Sequence, residues 1–218
     1  LTNIKVLGGT VAGASSVAGV VAVMCNSSYT NLYCSATVTG TGDKVAGIVA
    51  NGNGSMTGVR WVFTGTVSGQ QYVGGLIGYP DAGNDNQDIR LSNSINAGTV
   101  TGTNYVGGIR GREYHRPGNL TVSCINIGNV TGNMWVGGIV GYSQGNSYYC
   151  MNAGIVTGNQ YVGGIVGHQS NYTAYNCKAH DCVSVGQVYG TANVGNVTGY
   201  YESGTVEKCY YDKQVSPE

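Results

Sequence analysis

The apolar positions of this chain follow one short cassette that returns at near-regular intervals. Val73-Gly74-Gly75-Leu76-Ile77-Gly78 recurs as Val106-Gly107-Gly108-Ile109-Arg110-Gly111, Val136-Gly137-Gly138-Ile139-Val140-Gly141 and Val162-Gly163-Gly164-Ile165-Val166-Gly167. Weaker copies begin at Val17, Val45 and Val194, so that the start-to-start spacings are 28, 28, 33, 30, 26 and 32 residues. A second element, Gly-x-Val-Thr-Gly in its strongest form, stands upstream with its central valine six residues before the cassette, as in Gly98–Gly102 and Gly128–Gly132. A looser third element precedes that one: Ser94-Ile95-Asn96, Cys124-Ile125-Asn126 and Cys150-Met151-Asn152. Each period therefore predicts three short extended pieces joined by glycine turns, with polar insertions such as 80–90 and 112–119 between some of them.

Three short strands cannot bury a face alone, but stacking the periods can. The expected fold is all-β, a parallel β-solenoid (β-helix) of about seven coils with 26–33 residues per coil. Corresponding strands would lie about 4.8 Å apart, making a rod roughly 30–35 Å long. Alternation in Thr99-Val100-Thr101 sends the valine to one face and both threonines to the other, so Val38, Val67, Val100, Val130, Val156 and Val188 form one expected buried column. Ile48, Leu76, Ile109, Ile139 and Ile165 form a second. The next position reads Val21, Val49, Ile77, Arg110, Val140, Val166 and Thr198. Arg110 argues that this column faces outward, which makes Val21, Val49, Ile77, Val140 and Val166 a candidate contact row; cover by a neighbouring loop is the competing reading. The paired glycines imply corners with positive φ or very close backbone approach.

Composition narrows the partners. Ten basic and ten acidic residues leave no net charge, and only 9% of the chain is charged, so neither nucleic acid nor an anionic membrane surface is favoured. No apolar run is long enough to span a bilayer. The 38 glycines lack the three-residue period of collagen and weigh against helices. A hydrophobic share of 41% can fill a core, unlike a disordered chain.

The V-G-G-I-V-G cassette preceded by G-x-V-T-G resembles the GLUG motif, a glycine-rich repeat of secreted and surface proteins that in bacteria accompanies adhesin-like proteins and some immunoglobulin-A-cleaving metallopeptidases. The resemblance spans nearly the whole chain and implies an extracellular adhesive or spacer role. Peptidase activity does not carry over: there is no H-E-x-x-H, and His115, His168 and His180 belong to different coils.

Several side-chain patterns are candidates for binding. Tyr72, Tyr105, Trp135 and Tyr161 immediately precede four successive cassettes, and Tyr79, Arg112, Tyr142, His168 and Tyr200 immediately follow five. Stacked coil on coil, these would be aromatic columns, suited to sugar rings or an apolar protein partner, or else stacked on one another as a structural flank. Thr37/Thr39, Thr99/Thr101 and Thr66/Ser68 resemble the flat threonine arrays of ice-binding solenoids, but Asn129, Ile155, Gln187 and Tyr189 interrupt them, and an ordinary solvent-facing strand accounts for the pattern. Cys124, Cys150 and Cys182 share one position in successive coils, close enough for disulfides; Cys25 with Cys34 and Cys177 with Cys182 are further possible pairs, and a buried thiol column is the alternative. Seven cysteines are an odd number, so one thiol is expected to stay unpaired within the chain. Asp81, Asp85 and Asp88, with Asn84 and Asn86, form an acidic loop that could offer oxygen ligands to calcium, though a solvated insertion explains it better. Sequons at Asn26, Asn53, Asn119, Asn129, Asn171 and Asn196 are glycosylation sites only in a secreted eukaryotic protein.

Scattered carboxylates offer no repeated catalytic pair. The expectation is a non-catalytic structural or adhesive segment of an extracellular or cell-surface microbial protein, without cofactor or metal, whose partner is a protein or glycan at a surface, or itself end to end. A self-assembling fibre subunit and a polysaccharide-binding or polysaccharide-cleaving solenoid are the alternatives. Without an initiator methionine, leader or anchor, residues 1–218 are expected to be one solenoid domain of a longer secreted chain.

Overall fold

A computed structural model describes residues 1–81, 88–114, 118–170 and 177–213. Strands and turns make up the described residues, without a helix. Every strand pairing is parallel, and the strands fall into three sheets of 18, 7 and 7 members that wind into a solenoid of about seven turns. One seven-stranded sheet stacks the Gly-x-Val-Thr elements, from Thr10–Gly13 through Thr37–Gly40, Thr66–Ser68 and Thr99–Thr101 to Val188–Tyr189. The other stacks the starts of the cassettes, from Val17–Ala18 through Asn104–Gly107 to Ala192–Gly195. The long sheet takes the remainder of each coil. In the first coils that remainder includes single strands of 14 and 15 residues, Val21–Cys34 and Val49–Phe63; later coils break the same path into three pieces.

Register is kept residue for residue. Val100 lies between Val67 and Val130, and Val130 pairs onward with Val156. Val38, Val67, Val100, Val130 and Val156 are fully buried, as are Ile48, Leu76, Ile109, Ile139 and Ile165. Val188, in the last strand of that sheet, is only partly buried.

The expected outward row points inward instead. Val49, Ile77, Val140 and Val166 are fully buried, Val21 in the first coil is half-buried, and Arg110 is completely enclosed. The reason is a reset of the β alternation at the bend after each glycine pair. The amides of Ile109 and Arg110 both donate to the carbonyl of Ile139, each at 3.0 Å, and those of Ile139 and Val140 both donate to the carbonyl of Ile165. Two consecutive amides sharing one acceptor act like a bulge, so neighbouring side chains both turn into the core.

The corners also differ from expectation. The cassette glycines keep negative or extended φ, and positive φ falls on the residue before the valine: Tyr72 (54°), Tyr105 (54°), Trp135 (57°) and Tyr161 (56°). What the glycine pair supplies is room. A Cβ on Gly75 would stand 2.2 Å from the carbonyl oxygen of Gly108 and 2.5 Å from Cγ of Asn96. That asparagine belongs to a ladder inside the solenoid, in which Asn96 Nδ2 donates to Asn126 Oδ1 and Asn126 Nδ2 to Asn152 Oδ1, both at 2.7 Å. Each amide also donates to the carbonyl two residues on, Gly98, Gly128 or Gly154, at 2.8–3.0 Å. The ladder satisfies polar groups that burial would otherwise penalise by about 1–3 kcal/mol apiece.

Candidate functional site

The solenoid brings both aromatic columns onto one flank. Tyr72 and Tyr105 stack at 4.8 Å between centroids, Tyr105 and Trp135 at 4.3 Å, and Trp135 and Tyr161 at 6.1 Å, with interplanar angles of 11–21°. The second column interleaves edge-on: Tyr142 meets Tyr105 at 5.8 Å, Trp135 at 6.4 Å and His168 at 4.7 Å. Tyr79 packs on Tyr72 at 4.8 Å, while Tyr200 meets Tyr161 at 5.1 Å and His168 at 4.9 Å. Tyr200 is exposed and the others are half-buried. Because successive rings cover one another, the first column presents edges and hydroxyls rather than open faces. That geometry stabilises the flank by about 0.5–1.5 kcal/mol per ring pair beyond burial, and it leaves few faces against which a sugar ring could lie.

Arg112 interrupts the second column without breaking it. Its guanidinium lies 5.3–5.9 Å from the ring centres of Tyr79, Tyr105, Tyr114 and Tyr142, a cation–π contact with four rings. Burial raises the Tyr105 hydroxyl, with the Tyr72 hydroxyl adding to the effect and Arg112 opposing it. Burial lowers the His168 imidazole despite Glu202 at 3.2 Å.

A second cluster lies inside the coils, and sequence reasoning missed it. Arg110 and Glu113 are fully buried, with 3.7 Å between Arg110 Nε and Glu113 Oε1. Arg110 Nη2 donates to the carbonyls of Ile89 (3.2 Å) and Leu120 (2.7 Å). Glu113 accepts from the hydroxyls of Thr121 and Ser143. Burial pushes the Glu113 carboxyl up against the pull of Arg110, and pushes the Arg110 guanidinium down. Removing one partner of such a buried pair typically costs about 3–5 kcal/mol, since an uncompensated charge remains. The only sequence signal was Arg110 itself, a cation in an otherwise apolar position.

The cysteines are free thiols. Cys25 and Cys34 sit nine residues apart along the strand Val21–Cys34, which bends at Asn26 and Asn31, and both are unbridged, Cys25 exposed and Cys34 buried. Cys124, Cys150 and Cys182 form the expected column, which Cys209 extends by one coil. Each sulfur donates to the carbonyl two residues back, at 3.4 Å, just as the Ser94 hydroxyl does at 2.8 Å. The column is thus a hydrogen-bonded thiol ladder, not a set of disulfides. Cys177 donates to the carbonyl of Ser170 at 3.3 Å instead of bridging Cys182, and burial pushes its thiol up to about 11.

The remaining candidates separate. Asn119 is fully buried, with Oδ1 accepting from the Ile89 amide and Nδ2 donating to the Tyr114 carbonyl, so its sequon cannot meet a glycosylating enzyme in the folded chain. Asn26 and Asn129 are exposed and Asn196 is half-buried. Asn171 and the side chain of Asn53 lie outside the described residues, as do His115, Asn84, Asp85, Asn86 and the side chain of Asp81. Asp88 pairs with Arg90 at 3.4 Å. Among the described residues no three His, Cys, Asp or Glu side chains gather as metal ligands.

No family model matches the chain, and no curated protein matches it. Among solved structures it is similar to a crystal structure of a putative immunoglobulin A1 protease from Bacteroides ovatus, with a TM-score of 0.60 and 21% identity over 84% of this chain. The match spans 60% of that protein's length. At this identity the likeness shows the fold alone.

Proposed function

We propose that this chain is a non-catalytic structural or adhesive segment of an extracellular or cell-surface protein, with the aromatic flank as its contact surface. One observation carries the reading: a continuous stack of half-buried rings, with Arg112 embedded, runs across four coils of the solenoid, and the exposed Tyr200 continues it into a fifth. Rigid rings with polar rims suit recognition, because little side-chain freedom is lost on binding. The fully buried ionisable pair, Arg110 with Glu113, is sealed in the core and out of reach of a substrate. The GLUG resemblance and the Bacteroides ovatus neighbour agree on the context, repeats that accompany an immunoglobulin-directed protein.

The exposed rims favour a hydrogen-bonding protein surface over face-on stacking of sugars. Binding of the purified chain to immobilised immunoglobulin A1, alongside a glycan array, tests this against a Tyr105→Ala/Trp135→Ala variant. The expected result is immunoglobulin binding that the variant loses and immunoglobulin that remains intact. Cleavage of the immunoglobulin would refute the non-catalytic reading, and wild-type chain that binds neither surface would remove the flank as a contact site. A second reading, a fibre subunit that stacks end to end, is favoured by the exposed Tyr189, Val194, Tyr201, Val206, Tyr210 and Tyr211 of the last coil; electron microscopy showing only short single rods would dismiss it.

A further inference from the structure

The sheet of Gly-x-Val-Thr elements has an outer surface unlike the rest of the molecule. Thr37, Thr66 and Thr99 stand side by side on three paired strands, with Thr10 in register below them. Two residues along the same strands, Thr39, Ser68, Thr101, Thr131 and Thr157 continue through five coils. Thr131 and Thr157 extend a column that the sequence pattern shows as broken, because Asn129 and Ile155 interrupt only the neighbouring one. Thr37, Thr66, Thr99, Thr101, Thr131 and Thr157 are exposed, and the valines between the two columns are fully buried from Val38 to Val156. No position of either column is charged.

Three physical features follow. The hydroxyls repeat at about 4.8 Å across the strands and about 6.6 Å along them. Threonine is β-branched and stiff at χ1, and each strand is hydrogen-bonded to both neighbours, so the array is held before anything binds. The glycines that lead into the strands let successive coils approach closely: a Cβ on Gly128 would fall 1.9 Å from the carbonyl oxygen of Gly98, and one on Gly154 would fall 2.0 Å from that of Gly128. Soluble small ligands need concavity, and two clefts of the molecule lie elsewhere, about 480 Å³ at Val197–Glu207 and about 450 Å³ around Asn26 and Met56. An uncharged, periodic face gains most from a partner that is itself periodic, because each added coil repeats the same contact with little further ordering cost.

We propose that this threonine face binds the ordered water lattice at the surface of an ice crystal. The oxygens of hexagonal ice repeat on the same few-ångström scale in both directions, and paired hydroxyl and methyl groups allow each threonine to join that lattice while covering apolar surface. The array ends where Gln187 and Tyr189 replace it. This inference is independent of the aromatic flank.

Slow growth of an ice hemisphere in a solution of the purified chain measures partition between ice and liquid. Thr66→Tyr and Thr101→Lys place bulk and charge at the centre of the array, while Val23→Tyr alters an exposed residue of another sheet; circular dichroism checks that all four proteins melt alike. Wild type and Val23→Tyr should enrich in the ice, and both central variants should fall by about tenfold or more. Exclusion of the wild type from ice, equal enrichment of folded central variants, or binding to crystalline cellulose powder in place of ice would overturn the proposal.

Discussion

Two ladders run along this solenoid with one residue per coil, and they are built from opposite physics. The inner one, Asn96–Asn126–Asn152, is completely buried and held by directional hydrogen bonds of 2.7 Å. The outer one, Tyr72–Tyr105–Trp135–Tyr161, is half-exposed and held by ring stacking. Each asparagine satisfies a neighbour that has no access to water, so the inner ladder is an all-or-none network. The rings tolerate centroid spacings from 4.3 to 6.1 Å, and they do so from a left-handed backbone that bulky residues avoid at about 1–2 kcal/mol. The opposite left-handed corner uses mostly small or polar residues, such as Asn31, Asn93 and Ser123. Stacking therefore offsets a strain at the aromatic corner that the other corner largely avoids by residue choice.

Breaking the inner ladder should have the largest effect. Asn126→Ala removes its bonds to Asn96, Asn152 and Gly128 and leaves a cavity, for an expected loss of about 3–5 kcal/mol in urea unfolding; a loss below about 1 kcal/mol would mean that the ladder is incidental. The outer ladder should yield less. Trp135→Ala removes two stacked contacts and one edge contact, about 1–3 kcal/mol. Trp135→Asn should be the more stable of the two variants by several tenths of a kcal/mol, because asparagine accepts the left-handed corner. Equal stability of the two would show that strain at this corner is negligible.

The smallest effect sharpens the contrast through pH. His168 packs in the outer flank with its pKa lowered by burial, so the folded chain favours the neutral ring. The unfolded chain binds the proton more readily, and stability should fall as pH drops below about 6.5 through the lower folded value, with no change above it. His168→Gln should flatten that slope in melts from pH 7.5 to 5, whereas an unchanged slope would assign the acid sensitivity to another group.

Much of this architecture was legible in the chain. The six-residue offset between Val100 and Val106, repeated in neighbouring coils, forces a constant cross-section, and from it follow the coil number, the parallel stacking, the valine column and the alignment of Tyr72 through Tyr161. The row containing Arg110 was not legible, because alternation assumes an unbroken strand. Two amides sharing one carbonyl reset the phase, and only the hydrogen bonds to the next coil reveal that. The asparagine ladder was visible as a recurring letter, yet an asparagine in a turn-rich sequence carries no sign of facing inward. Cys209 escaped because no copy of the cassette follows it, as one follows each other member of its column.

Local sequence by itself determined periodicity, strand identity and the residues that meet in successive coils, since parallel in-register stacking turns spacing along the chain into proximity in space. Tertiary structure alone decided which side of each corner faces in, whether the thiols hydrogen-bond or bridge, and that Arg110 and Glu113 meet in the core. Those outcomes depend on carbonyls and side chains one coil away, whose direction no spacing within a single repeat encodes.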